Sequence, residues 1–145
     1  MNATSSDNLD LNILSDPANV STVRTSVEQF CAAAGLDLPA QQEVGLVVNE
    51  ALANVIRHAY NGAKDRPVRI VACRHGSGVQ IDIRDWGSGF DPSVCQLPKQ
   101  DLLTPGGVGM ICIQKLMDEV KYLPQPDGML LEMVRHRNGK SKCSD

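Results

Sequence analysis

The stretch VVNEALANVIRHAYNG, from Val47 to Gly62, has the spacing of an amphipathic helix. The helix opens at Pro39, and its apolar positions recur three and four residues apart: Val44, Val48, Ala51, Leu52, Val55 and Ala59. Glu50 and Asn54 lie one turn apart on another side of it. Asparagine is a poor residue for a helix interior, because its amide competes for backbone hydrogen bonds. The pair therefore belongs either to an ordinary wet face or to a binding site.

Five polar residues form one stripe of this helix, roughly opposite the apolar one: Glu43, Glu50, Asn54, Arg57 and Asn61. Taken alone, such a stripe favours a solvated face with some i,i+4 pairing. The alternative is chemical. A carboxylate can orient or deprotonate a hydroxyl group. An amide oxygen four residues further on can ligate Mg²⁺, which accepts few protein oxygens and keeps several waters.

Composition limits the class of protein. The chain has 145 residues, 42% of them hydrophobic and only 3% aromatic, which predicts one domain with an aliphatic core. The net charge of −3 provides no basic field, so nucleic acid and membrane are not expected as partners. No apolar run reaches the roughly 20 residues that span a bilayer, and the first residues lack a signal-peptide pattern. Five scattered cysteines without a CxxC pair favour reduced thiols in a cytoplasmic protein.

The order of elements predicts an α+β two-layer sandwich. A strand over 9–14 comes first. A helix follows, with Asp16 as its N-cap and Pro17 at its first position, and it ends at Gly35. The helix opened by Pro39 comes next, then a hairpin of 68–75 and 79–85 and an aperiodic loop. A helix with Ile113, Leu116, Met117 and Val120 on one side and a last hairpin complete the order. We predict a mixed, mostly antiparallel sheet with three main helices on one face. The domain spans 9–135, between a disordered N-terminus (1–8) and a polar tail (136–145).

The motif DWGSG follows a predicted strand. Alternation places Asp85 on the same face as three apolar strand residues, so its carboxylate points to the buried side and needs a donor. That donor is either the exocyclic amine of an adenine or a backbone amide. Gly87 and Gly89 permit a tight turn or the close approach of a ligand. A plain turn, in which Asp85 bonds its own backbone, is an equally good interpretation.

The motif GGVG, Gly106 to Gly109, directly precedes a predicted amphipathic helix. A helix N-terminus exposes free N–H groups and accepts phosphate, and glycines let the phosphate reach the backbone. The motif is not a Walker A sequence, because no GK[ST] follows. The alternative is a flexible hinge at the end of the long loop, a kind of segment that is typically functional or disordered.

The order of these motifs resembles the GHKL ATPases, which include histidine-kinase ATP domains, gyrase, Hsp90 and MutL. The pair Glu50-x-x-x-Asn54 resembles the N-box, Asp85-x-Gly87-x-Gly89 the first glycine box, and Gly107-x-Gly109 the second. The details EALANVIRHAY and GVGMICIQKLMDEV are most similar to the anti-sigma-factor serine/threonine kinases of bacteria. The resemblance covers residues 9–135 and implies the Bergerat, or histidine kinase-like ATPase, fold.

The resemblance implies a role for each matched residue. Glu50 would be the general base, Asn54 would bind ATP through Mg²⁺, and Asp85 would read the adenine. Gly87 and Gly89 would admit the purine, and residues 90–106 would form a lid. The segment that would present amides to phosphate is Gly106, Gly107, Val108, Gly109 and Met110. Many relatives carry an arginine at this second box and this chain has none, so the remaining phosphate-binding candidates are Arg57, Lys64 and Lys99.

The function implied is an ATP-dependent protein serine/threonine kinase. It would phosphorylate an anti-anti-sigma protein of STAS type and sequester a sigma factor, thereby regulating transcription by partner switching. A homodimer is common among such relatives, but no stripe in this sequence marks a dimer surface. The missing arginine motivates an alternative, a nucleotide-gated binding module without relevant phosphotransfer. A structural domain that has lost ATP is a third class, against which the three intact motifs speak.

Overall fold

A six-stranded sheet forms one layer of the fold. The computed structural model describes residues 3–4, 8–87 and 112–137 of the chain. The strands are β1 (Ala3–Thr4), β2 (Asn8–Leu14), β3 (Pro67–His75), β4 (Gly78–Asp85), β5 (Glu119–Gln125) and β6 (Gly128–Arg135). Their spatial order is β1-β2-β3-β4-β6-β5, so both predicted hairpins, β3–β4 and β5–β6, are present.

All pairings between the described strands are antiparallel, whereas the sequence predicted a mixed sheet. The reason lies in how the last hairpin joins the sheet. Strand β6 lies between β4 and β5, and it is antiparallel to both. Strand β5 runs in the same direction as β4 but stands at the edge, so no parallel ladder forms.

Three helices cover one face of the sheet, as predicted. They are α1 (Val20–Ala33), α2 (Leu38–Asn54) and helix 112–116. The predicted cap at Asp16 is present, since its carboxylate accepts a hydrogen bond of 2.9 Å from the amide of Ala18. The cap of α2 is Asp37, which accepts from the amide of Ala40 at 3.0 Å. Both caps satisfy amides that a helix leaves without an internal partner.

The helix that includes residues 112–116 ends earlier than the apolar spacing through Val120 predicts. The amide of Asp118 donates to the carbonyl of Val134 at 2.8 Å, so the chain has already joined the sheet at this point. Val120 is the second residue of β5 and pairs with Met133 of β6. An apolar residue at this position satisfies both a helix face and the inner face of a strand, so spacing alone does not discriminate between them.

The core lies between the inner face of the sheet and the helices. Alternate strand residues point into it, as the period of two in the sequence predicts. The fully buried residues include Leu9, Ile70, Ile81, Ile83 and Met133 from the sheet, and Val23, Val27, Val44, Val48 and Leu52 from the helices. Phe30 and Tyr60 are the aromatic residues of this cluster, which is otherwise aliphatic as predicted.

The cysteines in the described part of the chain are unpaired, in agreement with the reduced thiols that their spacing predicts. Cys31 lies in the core, where burial raises its pKa to about 12. A thiol with so high a pKa carries almost no thiolate at neutral pH, so Cys31 is a packing residue rather than a nucleophile.

The N-terminal edge of the sheet differs from the expected disorder of residues 1–8. Ala3–Thr4 pairs with Leu9 and Asp10, and Asn8 is the first residue of β2. The open edge of β2 offers backbone hydrogen bonds to any neighbouring extended segment. The polar composition of the N-terminal residues does not predict this pairing. Within residues 3–4, 8–87 and 112–137, no helix combines the length and the apolar character needed to cross a membrane.

An ion pair between Arg135 and Glu43 joins the sheet to α2. Arg135, the last residue of β6, lies on the inner face and is 6% exposed, whereas the side chain of Glu43 is 40% exposed. Its guanidinium donates to the carboxylate of Glu43 at 2.8 Å and to the carbonyl of Leu116 at 2.9 Å. Glu43 therefore belongs to a structural contact, and one guanidinium holds the sheet, α2 and the end of helix 112–116 together.

We expect Glu43→Ala to lower the free energy of unfolding by about 2 kcal/mol, because the buried guanidinium of Arg135 loses its counter-charge, while water screens the 40% exposed carboxylate of Glu43. Asp10→Ala is the matched control. Its partner Arg69 has a half-exposed side chain that regains water, so this loss stays below about 1 kcal/mol. Urea unfolding followed by circular dichroism measures both values. Equal losses would show that the pair of Arg135 and Glu43 behaves as an ordinary surface pair.

Candidate functional site

A cavity lies between the C-terminal end of α2 and the inner face of the sheet. Its walls are Ala51, Asn54, Val55, Ala59, Ile83, Asp85, Tyr122, Met129 and Leu131. The cavity measures about 20 Å³, roughly the space of one water molecule, so a ring-shaped ligand enters only when side chains move. Met129, an adaptable side chain, lies where the cavity adjoins a larger open groove of about 490 Å³ at the β5–β6 turn.

A π-helical segment, Val55–Ala59, follows α2 directly. It closes with a hydrogen bond of 3.0 Å from the amide of Tyr60 to the carbonyl of Val55, five residues back. Such segments are rare and occur frequently at functional sites. The sequence predicted a regular helix here, because the apolar spacing is unbroken and one extra residue in a turn leaves no signature in composition.

Asn54 is buried, whereas the sequence placed it on a polar stripe roughly opposite the apolar side. It lies at the border between the two stripes, beside Ala51, and the cavity reaches it there. Asn54 is 5% exposed, while Arg57 and Asn61 of the same stripe are exposed. The stripe is therefore not one surface, and the interpretation as a purely solvated face is wrong for Asn54.

The side-chain oxygen Oδ1 of Asn54 is buried and has no hydrogen-bond partner. An unsatisfied buried acceptor is costly, and in native structures it commonly marks a functional group or a missing ligand. A carboxamide oxygen is one of the oxygen ligands that Mg²⁺ and Ca²⁺ take in proteins. The described residues contain no cluster of three His, Cys, Asp or Glu side chains that could hold a metal ion. Asn54 therefore fits a metal that takes its other ligands from water and substrate.

Asp85 ends β4 on the buried side, as alternation predicts, and it is 4% exposed. Its Oδ1 accepts a hydrogen bond of 2.9 Å from the amide of Gly87. Burial raises the pKa of this carboxyl, and the amides of Gly87 and Met129 and the charge of Arg84 only partly offset that rise. The interpretation of the DWGSG motif as a turn is confirmed, because Asp85 accepts from its own backbone. Asp85 also lines the cavity, and its contact with an adenine stays a prediction.

Gly87 is required by the packing of the backbone. A Cβ atom at this position would collide with the carbonyl of Ala59, at the end of the π-helical segment. The sequence predicted that this glycine admits a purine; in the structure the close neighbour is the protein's own chain. The same contact brings the exit of β4 against the wall of the cavity.

Glu50 is half-buried on α2, one turn before Asn54. Its carboxylate has no hydrogen bond or ion pair with another described residue. Together with Glu43, its charge raises the pKa of the Cys112 thiol, although burial is the larger cause. Helix 112–116 therefore lies close to this face of α2.

The other predicted residues fall into two groups. Arg57 and Lys64 are exposed and do not line the cavity. Those outside the described residues are Gly89, Lys99, the segment Gly106, Gly107, Val108, Gly109 and Met110, and the predicted lid 90–106. Their roles remain expectations from the sequence.

Sequence reasoning missed the wall that β5 and β6 contribute. Tyr122, Met129 and Leu131 line the cavity opposite α2. Alternation in β6 places Met129 and Leu131 on the same face as the buried Met133, so their inward direction was readable. Which inward residues lie beside Asn54 depends on strand order, and no local pattern encodes it.

The structure combines an antiparallel sheet, helices on one of its faces, and a buried carboxylate and an unpaired amide oxygen between the two layers. The family model for the histidine kinase-like ATPase domain matches residues 13–135. The chain belongs to this family. The predicted resemblance to the GHKL ATPases is thereby confirmed.

Proteins of similar sequence indicate which branch of this family the chain resembles. Serine-protein kinase RsbW of Listeria monocytogenes is 27% identical over an alignment of 149 positions, which covers 95% of this chain and 92% of that protein. Anti-sigma F factor of Anoxybacillus flavithermus is 30% identical over 134 aligned residues, which cover 87% and 90%. Both names agree with the predicted resemblance to anti-sigma-factor kinases.

Two solved structures share the fold. The RsbU and RsbW domains of a Mycobacterium tuberculosis protein match with a TM-score of 0.65 at 16% identity, over 89% of this chain and 32% of that one. A structure of the SiaB–SiaC complex from Pseudomonas aeruginosa matches with a TM-score of 0.66 at 12% identity, over 87% and 88%. At these identities the likeness establishes the fold alone.

We expect Asp85→Asn to stabilise the protein without nucleotide near neutral pH. The pKa of Asp85 is raised above its ordinary value of 3.8, so the folded state binds the proton more tightly than the unfolded state. The contribution of the Asp85 carboxyl to the free energy of unfolding of the wild type therefore falls as the pH rises from 3.8 through the pKa of the folded state. The stability gap between variant and wild type should shrink as the pH is lowered, which urea unfolding at several pH values measures.

Asp10→Asn is a control of opposite sign. The hydrogen bond from Arg69 lowers the pKa of Asp10, so this carboxylate stabilises the fold at neutral pH and loses that effect as pH falls. Asp10→Asn should therefore be less stable than wild type at neutral pH. A pH-independent gap for Asp85→Asn would contradict the buried, ionised carboxyl.

Proposed function

We propose that this chain is an ATP-dependent protein serine/threonine kinase of the anti-sigma-factor type. It transfers the terminal phosphoryl group of ATP to a serine or threonine hydroxyl of an anti-anti-sigma protein of STAS type, and it binds a sigma factor in alternation. The observation that carries the proposal is the unpaired Oδ1 of Asn54. Asn54 lines one cavity together with Asp85, and it lies one turn from Glu50 on α2. The names of the similar kinase and anti-sigma proteins support the choice of substrate.

Asp85 reads the purine. A carboxylate has about four acceptor positions, so the contacts with two backbone amides leave room for the exocyclic amine of adenine. The apolar walls from Val55, Ile83 and Leu131 suit the faces of a flat ring. The cavity must widen when the purine binds, and the side chains of its wall then repack around the ring.

Asn54 and Glu50 act at the phosphate end. Asn54 would hold Mg²⁺ through Oδ1, and the ion would neutralise phosphate charge. Glu50 accepts the proton of the attacking hydroxyl while the hydroxyl oxygen bonds to the phosphorus atom and the bond to the leaving ADP oxygen breaks. Phosphoryl transfer depends mostly on such positioning and charge neutralisation.

A second function is a nucleotide-gated binding module without relevant transfer. It is favoured by the second glycine box, which lacks the arginine that many relatives carry, and, among the described residues, neither Arg57 nor Lys64 lines the cavity. A positive side chain near the terminal phosphate commonly contributes to transfer, whereas purine binding at Asp85 does not require one. The two functions differ in whether bound ATP is turned over.

We expect Glu50→Gln to reduce phosphotransfer to the antagonist protein by about 10²–10⁴-fold, because the general base is lost. The affinity for ATP should change little, since the amide keeps the shape of the side chain. Glu132→Gln, a half-buried carboxylate of β6 outside the cavity walls, is the control and should retain transfer. Labelled ATP followed by phosphopeptide mapping gives the rate and the acceptor. Wild-type protein that binds ATP without labelling any antagonist would support the binding module instead.

We expect Asn54→Ala to abolish the Mg²⁺-dependent part of the rise in melting temperature that ATP produces. Ligand binding to the native state raises the apparent melting temperature, and the ion contributes only while its protein oxygen is present. Asn49→Ala is the matched control, since Asn49 lies on α2 but not in the cavity wall. Thermal unfolding with ATP, with and without Mg²⁺, measures the difference. An unchanged Mg²⁺ effect in Asn54→Ala would remove Asn54 from the metal site.

A further inference from the structure

One phenolic hydroxyl joins three elements beside the cavity. Tyr60 follows the π-helical segment and is 8% exposed. Its hydroxyl donates to the carbonyl of Pro67, at the start of β3, at 2.6 Å. The same oxygen accepts a hydrogen bond of 2.7 Å from the amide of Trp86, the residue after β4. The end of the helix layer is thus connected to two neighbouring strands of the sheet.

The bond to Trp86 determines where the next residue lies. Gly87 follows directly, and its amide donates to Oδ1 of Asp85. On its other side Gly87 is in close contact with the carbonyl of Ala59, next to Tyr60 in the chain. The orientation of the Asp85 carboxylate therefore depends on Gly87, and the position of Gly87 depends on the amide that Tyr60 holds.

We propose that Tyr60 is a positioning residue for the nucleotide base: its hydroxyl fixes the turn at 85–87 and thereby aims the carboxylate of Asp85 at the purine. The inference rests on the proposed function to the extent that Asp85 reads adenine. Tyr60 is not among the residues that wall the cavity, so it acts through Asp85 rather than by touching the ligand. Burial raises the pKa of Tyr60 above its ordinary value of 10.0, so the hydroxyl keeps its proton at neutral pH and remains a donor to Pro67.

Ser15, whose hydroxyl bonds the loop between Tyr60 and β3, offers a matched control. Its hydroxyl donates to the carbonyl of Ala63 at 2.6 Å and accepts from the amide of Arg66 at 3.1 Å. Ser15 is completely buried and does not line the cavity. Tyr60→Phe and Ser15→Ala each remove one buried hydroxyl and leave one carbonyl and one amide without that partner. A purely structural role for Tyr60 predicts the same consequences for both variants.

The test measures the affinity of each protein for adenosine and for ATP by isothermal calorimetry. Tyr60→Phe should weaken both ligands by the same factor, about three- to tenfold, because the loss lies at the shared base. Ser15→Ala should bind both as the wild type does. Hydrogen exchange of the Trp86 and Gly87 amides should accelerate in Tyr60→Phe and stay unchanged in Ser15→Ala.

Three results would overturn the inference: wild-type affinities in Tyr60→Phe, equal weakening by Ser15→Ala, or a loss for ATP that spares adenosine. Failure of the kinase proposal appears differently, as wild-type protein that binds ATP without transferring phosphate, and it leaves this comparison intact. Wild-type protein that binds neither adenosine nor ATP would remove both proposals together.

Discussion

The close passage of Gly87 against the carbonyl of Ala59 is the contact on which the site depends. It brings the end of the helix layer onto the exit of β4 with no side chain between the two backbones. The π-helical segment ends at this contact, and Tyr60 secures it with hydrogen bonds to the amide of Trp86 and the carbonyl of Pro67. Directly before the π-helical segment, Asn54 lines the cavity, and Glu50 lies one turn before it on α2.

The buried polar groups of the candidate site lower the stability of the fold. Asp85 is a carboxyl held in an apolar wall, and Oδ1 of Asn54 is a buried acceptor without a partner. Burial of such groups opposes folding unless a ligand or a hydrogen bond compensates. The aliphatic core around them and the Arg135–Glu43 pair supply the rigidity that keeps these groups in place. Stability and binding therefore compete at the same few side chains.

Much of the fold was readable from local pattern. Period two in β3 and β4, the cap at Asp16 and the apolar stripe of α2 all match the structure. The inward direction of Asp85 followed from parity alone. Three features were not readable: the antiparallel neighbour of β4, the early end of helix 112–116, and the π-helical segment. Each depends on which distant backbone supplies a hydrogen-bond partner or a packing surface, and spacing along the chain carries no such information.

By itself, the sequence determined the family and named the candidate site residues, because a carboxylate, an amide and glycines at set spacings are properties of the residue types themselves. It also determined which strand face is buried, since side chains alternate in any extended segment. Only the tertiary structure decided that Asn54 is buried while Arg57 is exposed, that Gly87 serves the protein's own backbone, and that a single tyrosine hydroxyl links the two layers. These outcomes depend on distances between segments far apart in the chain, and those distances are set by packing the whole core at once.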